Sequence, residues 1–243
     1  MLDQHFMIDE ELLQRIITAA DLKKTDTVLE IGPGTGNLTK LLLGKGKSLT
    51  LVEKDKVLLQ KLKEDLKGEK NITFIQADAT QQKLPEFTKC VSNLPYTICE
   101  PLLWIFTRYE FETLVLVLPN KFTDLLQGYV PSRLHLLMET FYKVEYLERI
   151  PKQAFDPQPK IESALIKITK KETQSFLREF LSQYDKKTKN ALETILCKHG
   201  KTKTEAKNII ALKLRPKIQE QSILTLSLEE IQVIHKMFES SIL

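Results

Sequence analysis

Residues 27–42 constrain this chain more than any other stretch. Thr27-Val28-Leu29-Glu30-Ile31 is a short apolar run, Gly32-Pro33-Gly34-Thr35-Gly36 follows it with three glycines, and Leu38, Leu41 and Leu42 then recur at helical spacing. The pattern predicts a strand, a tight turn and a helix. Such a turn exposes backbone N–H groups at a helix start, and its glycines let a ligand come close to the backbone. A dinucleotide fingerprint, G-x-G-x-x-G, would need glycine at 37, where Asn37 stands, and no G-x-x-x-x-G-K-[ST] occurs. The loop therefore has the spacing G-x-G-x-G.

The alternation continues on both sides. Ile8, Leu12, Leu13, Ile16, Ile17 and Ala20 share a helical face behind Asp9, Glu10 and Glu11, which suit a cap and a first turn. Ser48 to Val52 reads as a strand ending on Glu53, Val57 to Leu66 as a helix, and Asn71 to Ile75 as a strand leading into Ala77-Asp78-Ala79. Cys90 to Ser92 is a short strand running into Asn93, and Thr113 to Leu118 is an apolar run that suits a strand buried on both faces. Strands alternating with helices predict a mostly parallel, doubly wound α/β sheet of the Rossmann-like type. From Glu145 to Thr169 the pattern is strand-like, with Ser163 to Ile168 the clearest case, and beyond Lys170 only helical periodicity remains. The expected division is a catalytic domain over 1–170 and a small all-helical domain over 171–243.

Composition removes several classes of function. Hydrophobic residues make up 42% and charged residues 28% of the chain, the balance of an ordinary folded protein rather than a disordered or fibrous one. Cys90, Cys99 and Cys197 are too scattered for a disulfide framework and form no C-x-x-C pair, so no metal is expected and a reducing cytoplasm is the expected setting. No basic-then-apolar leader and no apolar run of ~18–20 residues is present, which points away from secretion and membranes. The net charge of +4 is unevenly spread: residues 1–170 hold 23 basic and 23 acidic side chains, and residues 171–243 hold 13 and 9. Within the tail, Lys186 to Lys217 carries ten basic residues and the acids Glu193 and Glu205. Lys186, Lys187, Lys189, Lys198, Lys201, Lys203 and Lys207 are thus candidates for contact with a phosphate backbone, the alternative being a solvated helical surface.

Candidate site residues cluster at the predicted carboxyl ends of strands, where such sheets place their chemistry. Glu53 can accept both hydroxyls of a ribose through its carboxylate oxygens, and Asp78 can accept from an adenine amino group. Asn93-Leu94-Pro95-Tyr96 follows the fourth strand. Asn93 offers a side-chain oxygen, Leu94 a backbone carbonyl freed by the fixed geometry of Pro95, and Tyr96 a ring on which a base can stack.

Gly32 to Gly36 resembles motif I of S-adenosylmethionine-dependent methyltransferases, and Asn93 to Tyr96 resembles the N-[LIV]-P-[YF] motif of amino-methylating enzymes. Four further segments extend the resemblance to the adenine-N6 dimethyltransferases of ribosomal RNA, in particular the archaeal and eukaryotic-like small-subunit enzymes. They are Asp3-Gln4-His5-Phe6, the glycine loop with Asn37-Leu38-Thr39, Ala77-Asp78-Ala79, and Phe155-Asp156-Pro157-Gln158-Pro159-Lys160-Ile161-Glu162-Ser163. The resemblance implies S-adenosylmethionine as cofactor, held by Gly32, Gly34, Gly36, Glu53, Asp78 and Asn93, with His5 and Met7 bordering it and Gln4 and Phe6 folding the leader over it. It implies that Asn93, Leu94, Pro95 and Tyr96 form the catalytic loop, that Phe155 is a second stacking face, and that the tail binds RNA. The expected substrate is small-subunit rRNA within an immature ribosomal subunit, acted on by a monomer.

The residue types suit that chemistry. The lone pair of an exocyclic aromatic amine is delocalised into the ring, so acceptors beside its N–H groups are needed to favour a pyramidal, nucleophilic nitrogen. Attack on a sulfonium methyl then depends on positioning more than on an acid or base. An adenine in structured RNA must also leave its stack to present N6, which calls for aromatic faces. Two stretches depart from the family pattern: Leu118 to Asp124 lacks the usual Gln-Lys-Glu, and Thr97-Ile98-Cys99-Glu100 replaces a more serine-rich segment. Rival readings are a large-subunit adenine methyltransferase of the antibiotic-resistance type, a non-catalytic assembly or transcription factor with the same fold, and a small-molecule N-methyltransferase.

Overall fold

The computed structural model describes residues 5–129, 132–171 and 176–239. Asp3 and Gln4 of the leader motif lie outside the described residues. The chain divides into two units, one of residues 1–130 and 142–170, the other of residues 131–141 and 171–243.

The first unit is built on strands β1 (Phe6–Met7), β2 (Thr27–Ile31), β3 (Ser48–Glu53), β4 (Ile72–Gln76), β5 (Lys89–Asn93), β6 (Thr113–Pro119), β7 (Tyr142–Ile150), β8 (Phe155–Asp156) and β9 (Ser163–Lys170). Its helices are α1 (Glu10–Ala20), α2 (Asn37–Leu42), α3 (Lys56–Asp65), α4 (Cys99–Phe106) and α5 (Lys121–Leu126). Seven of the strands form one sheet in the order β4-β3-β2-β5-β6-β9-β7. The first five run parallel, and β9 joins β6 and β7 antiparallel. This is the doubly wound sheet that the alternating pattern predicts. Thr113 to Pro119 is buried along its whole length, as expected of a strand covered on both faces.

The order of the strands reverses between β2 and β5, and there the sheet opens. Paired positions between them are Val28 with Lys89 and Leu29 with Cys90. Beyond, the side chain of Ser92 takes over: its Oγ accepts from the Ile31 N–H at 2.9 Å and donates to the Ile31 carbonyl at 2.5 Å. One hydroxyl thus satisfies both backbone groups of a diverging strand and leaves a crevice between the two strand ends. At the opposite end of β5, the buried Lys89 ammonium lies 3.1 Å from Asp26 and donates to the carbonyls of Ala20 and Asp21, tying the end of α1 to the sheet. Burial opposes the charge on Asp26, yet hydrogen bonds from the Lys23 N–H and from Lys89 outweigh it and hold its pKa below the usual value.

The second unit contains α6 (Arg133–Phe141), α7 (Phe176–Leu181), α8 (Thr188–Lys198), α9 (Lys203–Lys213), α10 (Pro216–Glu220) and α11 (Leu228–Phe238). Its core is separate, gathered around Phe176, Phe180, Leu192, Ile195, Ile231, Ile234 and Phe238. Capping boxes at Thr202/Glu205 and Ser227/Glu230 start α9 and α11. Lys170 is where the chain passes finally into this unit, but α6 also belongs to it, whereas the expected division placed residues 131–141 with the sheet. The physical reason is side-chain packing. Leu136, Leu137 and Phe141 lie against the helical core, and the Arg133 guanidinium donates to the carbonyls of Ile223, Leu224 and Leu226.

Candidate active site

The crevice between β2 and β5 widens into a cleft of about 640 Å³ whose lining includes His5, Met7, Gly32, Gly34, Glu53, Asn93 and Tyr96. A neighbouring cleft of about 600 Å³ shares Gly32, Glu53 and Pro95 and adds Asp78. The structure therefore gathers Gly32 and Gly34, the ends of β3 and β4, and the Asn93 loop around these two adjoining clefts, whereas Gly36 lines neither and packs against Leu62.

The glycine loop is held by its own backbone. Gly32 donates to the Val52 carbonyl at 2.9 Å, and Gly36 to that of Pro33 at 2.9 Å. At Gly34 the backbone has φ +57, and a Cβ there would come within 2.8 Å of the Phe6 ring. Only glycine meets both demands. The loop leaves a concave backbone wall beneath the leader. Glu53, 6% exposed, accepts from Gly34 N–H at 3.3 Å and from Asp55 N–H at 2.8 Å, which fixes its carboxylate at the rim. Asp78 accepts from the Thr80 hydroxyl and N–H and from Lys54, and these bonds lower its pKa to about 2. It remains a charged acceptor at any physiological pH. Beneath the loop, Glu30 is buried with its Oε2 accepting from Thr39 Oγ1 at 2.8 Å. Burial raises its pKa to about 8, against the bond from Thr39 and with a further push from the charge of Glu53.

The Asn93 loop is held by distant parts of the chain. Leu94 N–H donates to the Val117 carbonyl at 3.0 Å, continuing the sheet for one residue past β5. Asn93 Nδ2 donates to the His5 carbonyl at 3.1 Å, which orients the amide, while its Oδ1 is buried without a hydrogen-bond partner. The Leu94 carbonyl receives a long contact, 4.0 Å, from the Cys99 thiol, which lies 3.5 Å from the Pro95 carbonyl. Burial pushes that thiol up to about 12 against the pull of the Lys121 ammonium, so Cys99 acts as a neutral donor behind the loop. The Tyr96 hydroxyl is hydrogen-bonded to the hydroxyl of Ser163, which is fully buried at the start of β9. Its ring is tilted 39° to His5, with centroids 5.5 Å apart.

The leader crosses this cleft and is tied down on both sides. Phe6 and Met7 pair antiparallel with Asp156 and Phe155, His5 Nδ1 lies 2.8 Å from the Pro157 carbonyl, and Asn37 Nδ2 donates to the Met7 carbonyl at 2.7 Å. Asn37, the residue that breaks the dinucleotide fingerprint, is thus a tie for the leader. Phe155 corrects an expectation. Predicted as a stacking face, it is 1% exposed and packed in the core with Met7 and Ala154, and the cleft lining does not include it. The physical reason is strand pairing with Met7, which turns the ring inward beneath the leader.

The basic cluster of the tail is partly neutralised by folding. Lys187 and Lys189 both pair with Glu220, and Lys198 pairs with Glu179, two acids that lie outside the basic run in sequence. Lys186 bonds to Gln183. Lys201, Lys203 and Lys207 are exposed, with no ion pair among the described residues. Sequence reasoning missed Ser92 and Ser163, each of which acts on a residue far away in the chain, and Cys99, which acts on the loop from four and five residues away. For Ser163 the signal was its place at the end of the Phe155 motif.

A family model described as ribosomal RNA adenine dimethylase matches residues 1–232. A protein of Methanosarcina acetivorans named "Probable ribosomal RNA small subunit methyltransferase A" is 36% identical over 78% of this chain and 76% of its own. One of the same name from Thermococcus sibiricus is 31% identical over 98% of this chain and 91% of its own. Among solved structures, a dimethyladenosine transferase from Plasmodium falciparum has a TM-score of 0.67 at 24% identity, covering 98% of both chains. The 23S rRNA methyltransferase ErmE has a TM-score of 0.65 at 20% identity, covering 96% of this chain and 98% of its own. These two likenesses are of fold. With its glycine cradle, its Asn93 loop and a family match along nearly its whole length, this chain belongs to the ribosomal RNA adenine dimethylase family, whose methyl donor is S-adenosylmethionine.

Proposed function

We propose that this protein transfers methyl groups from S-adenosylmethionine to N6 of two adjacent adenines near the 3′ end of small-subunit rRNA, giving N6,N6-dimethyladenosine. It acts as a monomer on an immature subunit in the cytoplasm. The observation that carries this reading is the Asn93 side-chain oxygen, buried in the cleft with no partner while the amide nitrogen is held by His5. A buried acceptor left unsatisfied is costly unless a ligand completes it, and an amine N–H is the group that would.

The cradle fits the donor. Gly32 and Gly34 keep the cleft wall bare backbone, where a Cβ would run into Pro95 and Phe6, and Glu53 and Asp78 are acceptors suited to a ribose and an adenine amino group. Bound there, S-adenosylmethionine supplies an electrophilic methyl group on a sulfonium. His5 and Met7 border the cleft from the leader side. Asn93 Oδ1 and the Leu94 carbonyl accept from the two N–H groups of the target amine and favour its pyramidal, nucleophilic form. Pro95 holds the loop shape, and Tyr96 offers one face to the unstacked base, worth roughly 1–3 kcal/mol. Phe155 supports the leader from below and does not stack. The proton of the alkylated nitrogen goes to water, since its acidity rises sharply once the new bond forms.

Small-subunit rRNA as substrate is supported by the names of the archaeal relatives. A non-catalytic reading has less support because Gly32, Glu53, Asp78, Asn93 and Tyr96 are all in place around the cleft. The test is transfer of a radiolabelled methyl group to immature small subunits, large subunits and naked rRNA, with modified adenines mapped. Labelling of small-subunit dimethyladenosine is expected, and labelling of large-subunit RNA alone, or of nothing, overturns the reading. Lys201 and Lys203, exposed on the tail, would contact the RNA backbone. Changing both to Glu is expected to weaken RNA binding and flatten its salt dependence; unchanged binding would return them to plain surface.

A further inference from the structure

We infer that a shallow basic cup beside the Asn93 loop, lined by Lys121, Arg149, Lys152 and Lys160, seats a phosphate of the RNA strand next to the adenine being methylated. This rests on the RNA reading above and adds a site to it. The cup also includes Asn120, Ile161 and Glu162. Its four cations are Lys121 at the start of α5, Arg149 at the end of β7, Lys152 in the 3-10 turn that follows, and Lys160 in the loop after β8. Residues 1–170 hold equal numbers of basic and acidic side chains, so the local excess is produced by folding and not by composition.

Its place is set by the sheet. Ser163, which holds the Tyr96 hydroxyl, is paired in register with Pro119 on one side and Ile150 on the other. Asn120 and Glu162 lie one residue beyond this row, Asn120 N–H donating to the Glu162 carbonyl at 3.0 Å, and Arg149, in register with Ala164, reaches them through its ion pair with Glu162. One strand residue spans ~3.3 Å, so cup and stacking ring lie within the reach of one or two nucleotides.

Its chemistry suits a phosphodiester. The Arg149 guanidinium is paired with Glu162, which fixes the direction of its fork. Lys152 and Lys160 have no ion pair among the described residues. Lys121 sits 5.1 Å from the Phe122 ring centroid. At the base, Asn120 Oδ1 is buried without a partner, and rotation of that amide would present its two N–H donors to an anion. Asn120 and Lys121, within the segment 118–124, thus place an amide and a lysine at the cup.

The test is Lys152→Gln/Lys160→Gln in the full protein, assayed with its rRNA substrate over a range of salt. The expected result is a KM for RNA raised about five- to tenfold, a log–log salt slope shallower by about one, and kcat and S-adenosylmethionine affinity unchanged. Lys152→Arg/Lys160→Arg should restore the KM. Lys61→Gln/Lys67→Gln, which removes two exposed charges on and just beyond α3, should not reproduce the effect. RNAs carrying a neutral methylphosphonate at single linkages beside the target should show one linkage whose loss penalises the wild type and not the variant. If the wild type methylates rRNA but the glutamine variant keeps its KM and slope, or no single linkage matters, the cup is not a backbone site. If the wild type methylates no rRNA, it is the underlying reading that falls.

Discussion

The two loops that meet at the switch point of the sheet are built in opposite ways. The glycine loop carries almost no side chain, is held through its backbone N–H groups, bonded to Pro33, to Val52 and to the Glu53 carboxylate, and touches the other loop where Gly32 faces the Pro95 ring. The Asn93 loop is made of side chains, and what holds it comes from residues 5, 99, 117 and 163. A cofactor common to many acceptors needs only a backbone cradle, whereas one acceptor nitrogen needs a polar atom placed to within a few tenths of an ångström. Substitutions in one loop should therefore move cofactor affinity, and in the other the transfer rate.

The largest effect is expected at Asn93→Ala, which removes the unpartnered acceptor. Loss of a positioned group of this kind lowers rates by roughly a hundredfold to a thousandfold. Methyl transfer should fall by at least that much while S-adenosylmethionine affinity, read by calorimetry, stays within a few-fold. If affinity collapses with the rate, the two loops are not separable in this way. Gly34→Ala is the converse. The new Cβ meets Phe6 and is forced to adopt φ +57, at a cost of about 1 kcal/mol or more for the backbone alone. Cofactor affinity should drop about tenfold, with the rate at saturating cofactor much less affected. A variant whose kcat falls while its affinity holds would contradict the backbone-cradle account.

This contrast also explains what could be read in the sequence. A turn dictated by glycines is local, so residues 27–42 revealed strand, loop, helix and ligand class together. The Asn93 loop was recognisable as a motif, but its supports were not: a hydroxyl at Ser163 has no local pattern that names a partner dozens of residues away, and a lone thiol at Cys99 does not announce its contact with Pro95. Phe155 shows the same limit: the motif around it pointed to a stacking face, and pairing with Met7 turned it into core. The lysine run of the tail looked denser than it is because Glu179 and Glu220 enter it only on folding.

A smaller effect should expose the remote support of the second loop. Tyr96→Phe and Ser163→Ala each remove one end of the same hydrogen bond, so each is expected to lower transfer about three- to tenfold, in keeping with roughly 1 kcal/mol for such a bond. The double variant should be no worse than the poorer single, since residues acting through one bond are not additive. Additive losses would mean that Ser163 serves the sheet and not the tyrosine.

The smallest effect on activity is expected at Glu30, which lies buried in β2 beneath the first loop, at the floor of the cleft. Its buried carboxyl has a pKa raised to about 8, so at neutral pH the folded protein holds a proton that the unfolded chain releases. A raised value means that its contribution to stability is full below the unfolded value, near 4.5, and is lost as pH rises through about 8. Glu30→Gln keeps the acceptor for Thr39 and removes the titration. Urea midpoints of the wild type should fall between pH 5 and pH 9 more steeply than those of the variant. Parallel profiles would show that Glu30 stays charged beneath the glycine loop, and the loop would then rest on a buried anion in addition to its backbone bonds.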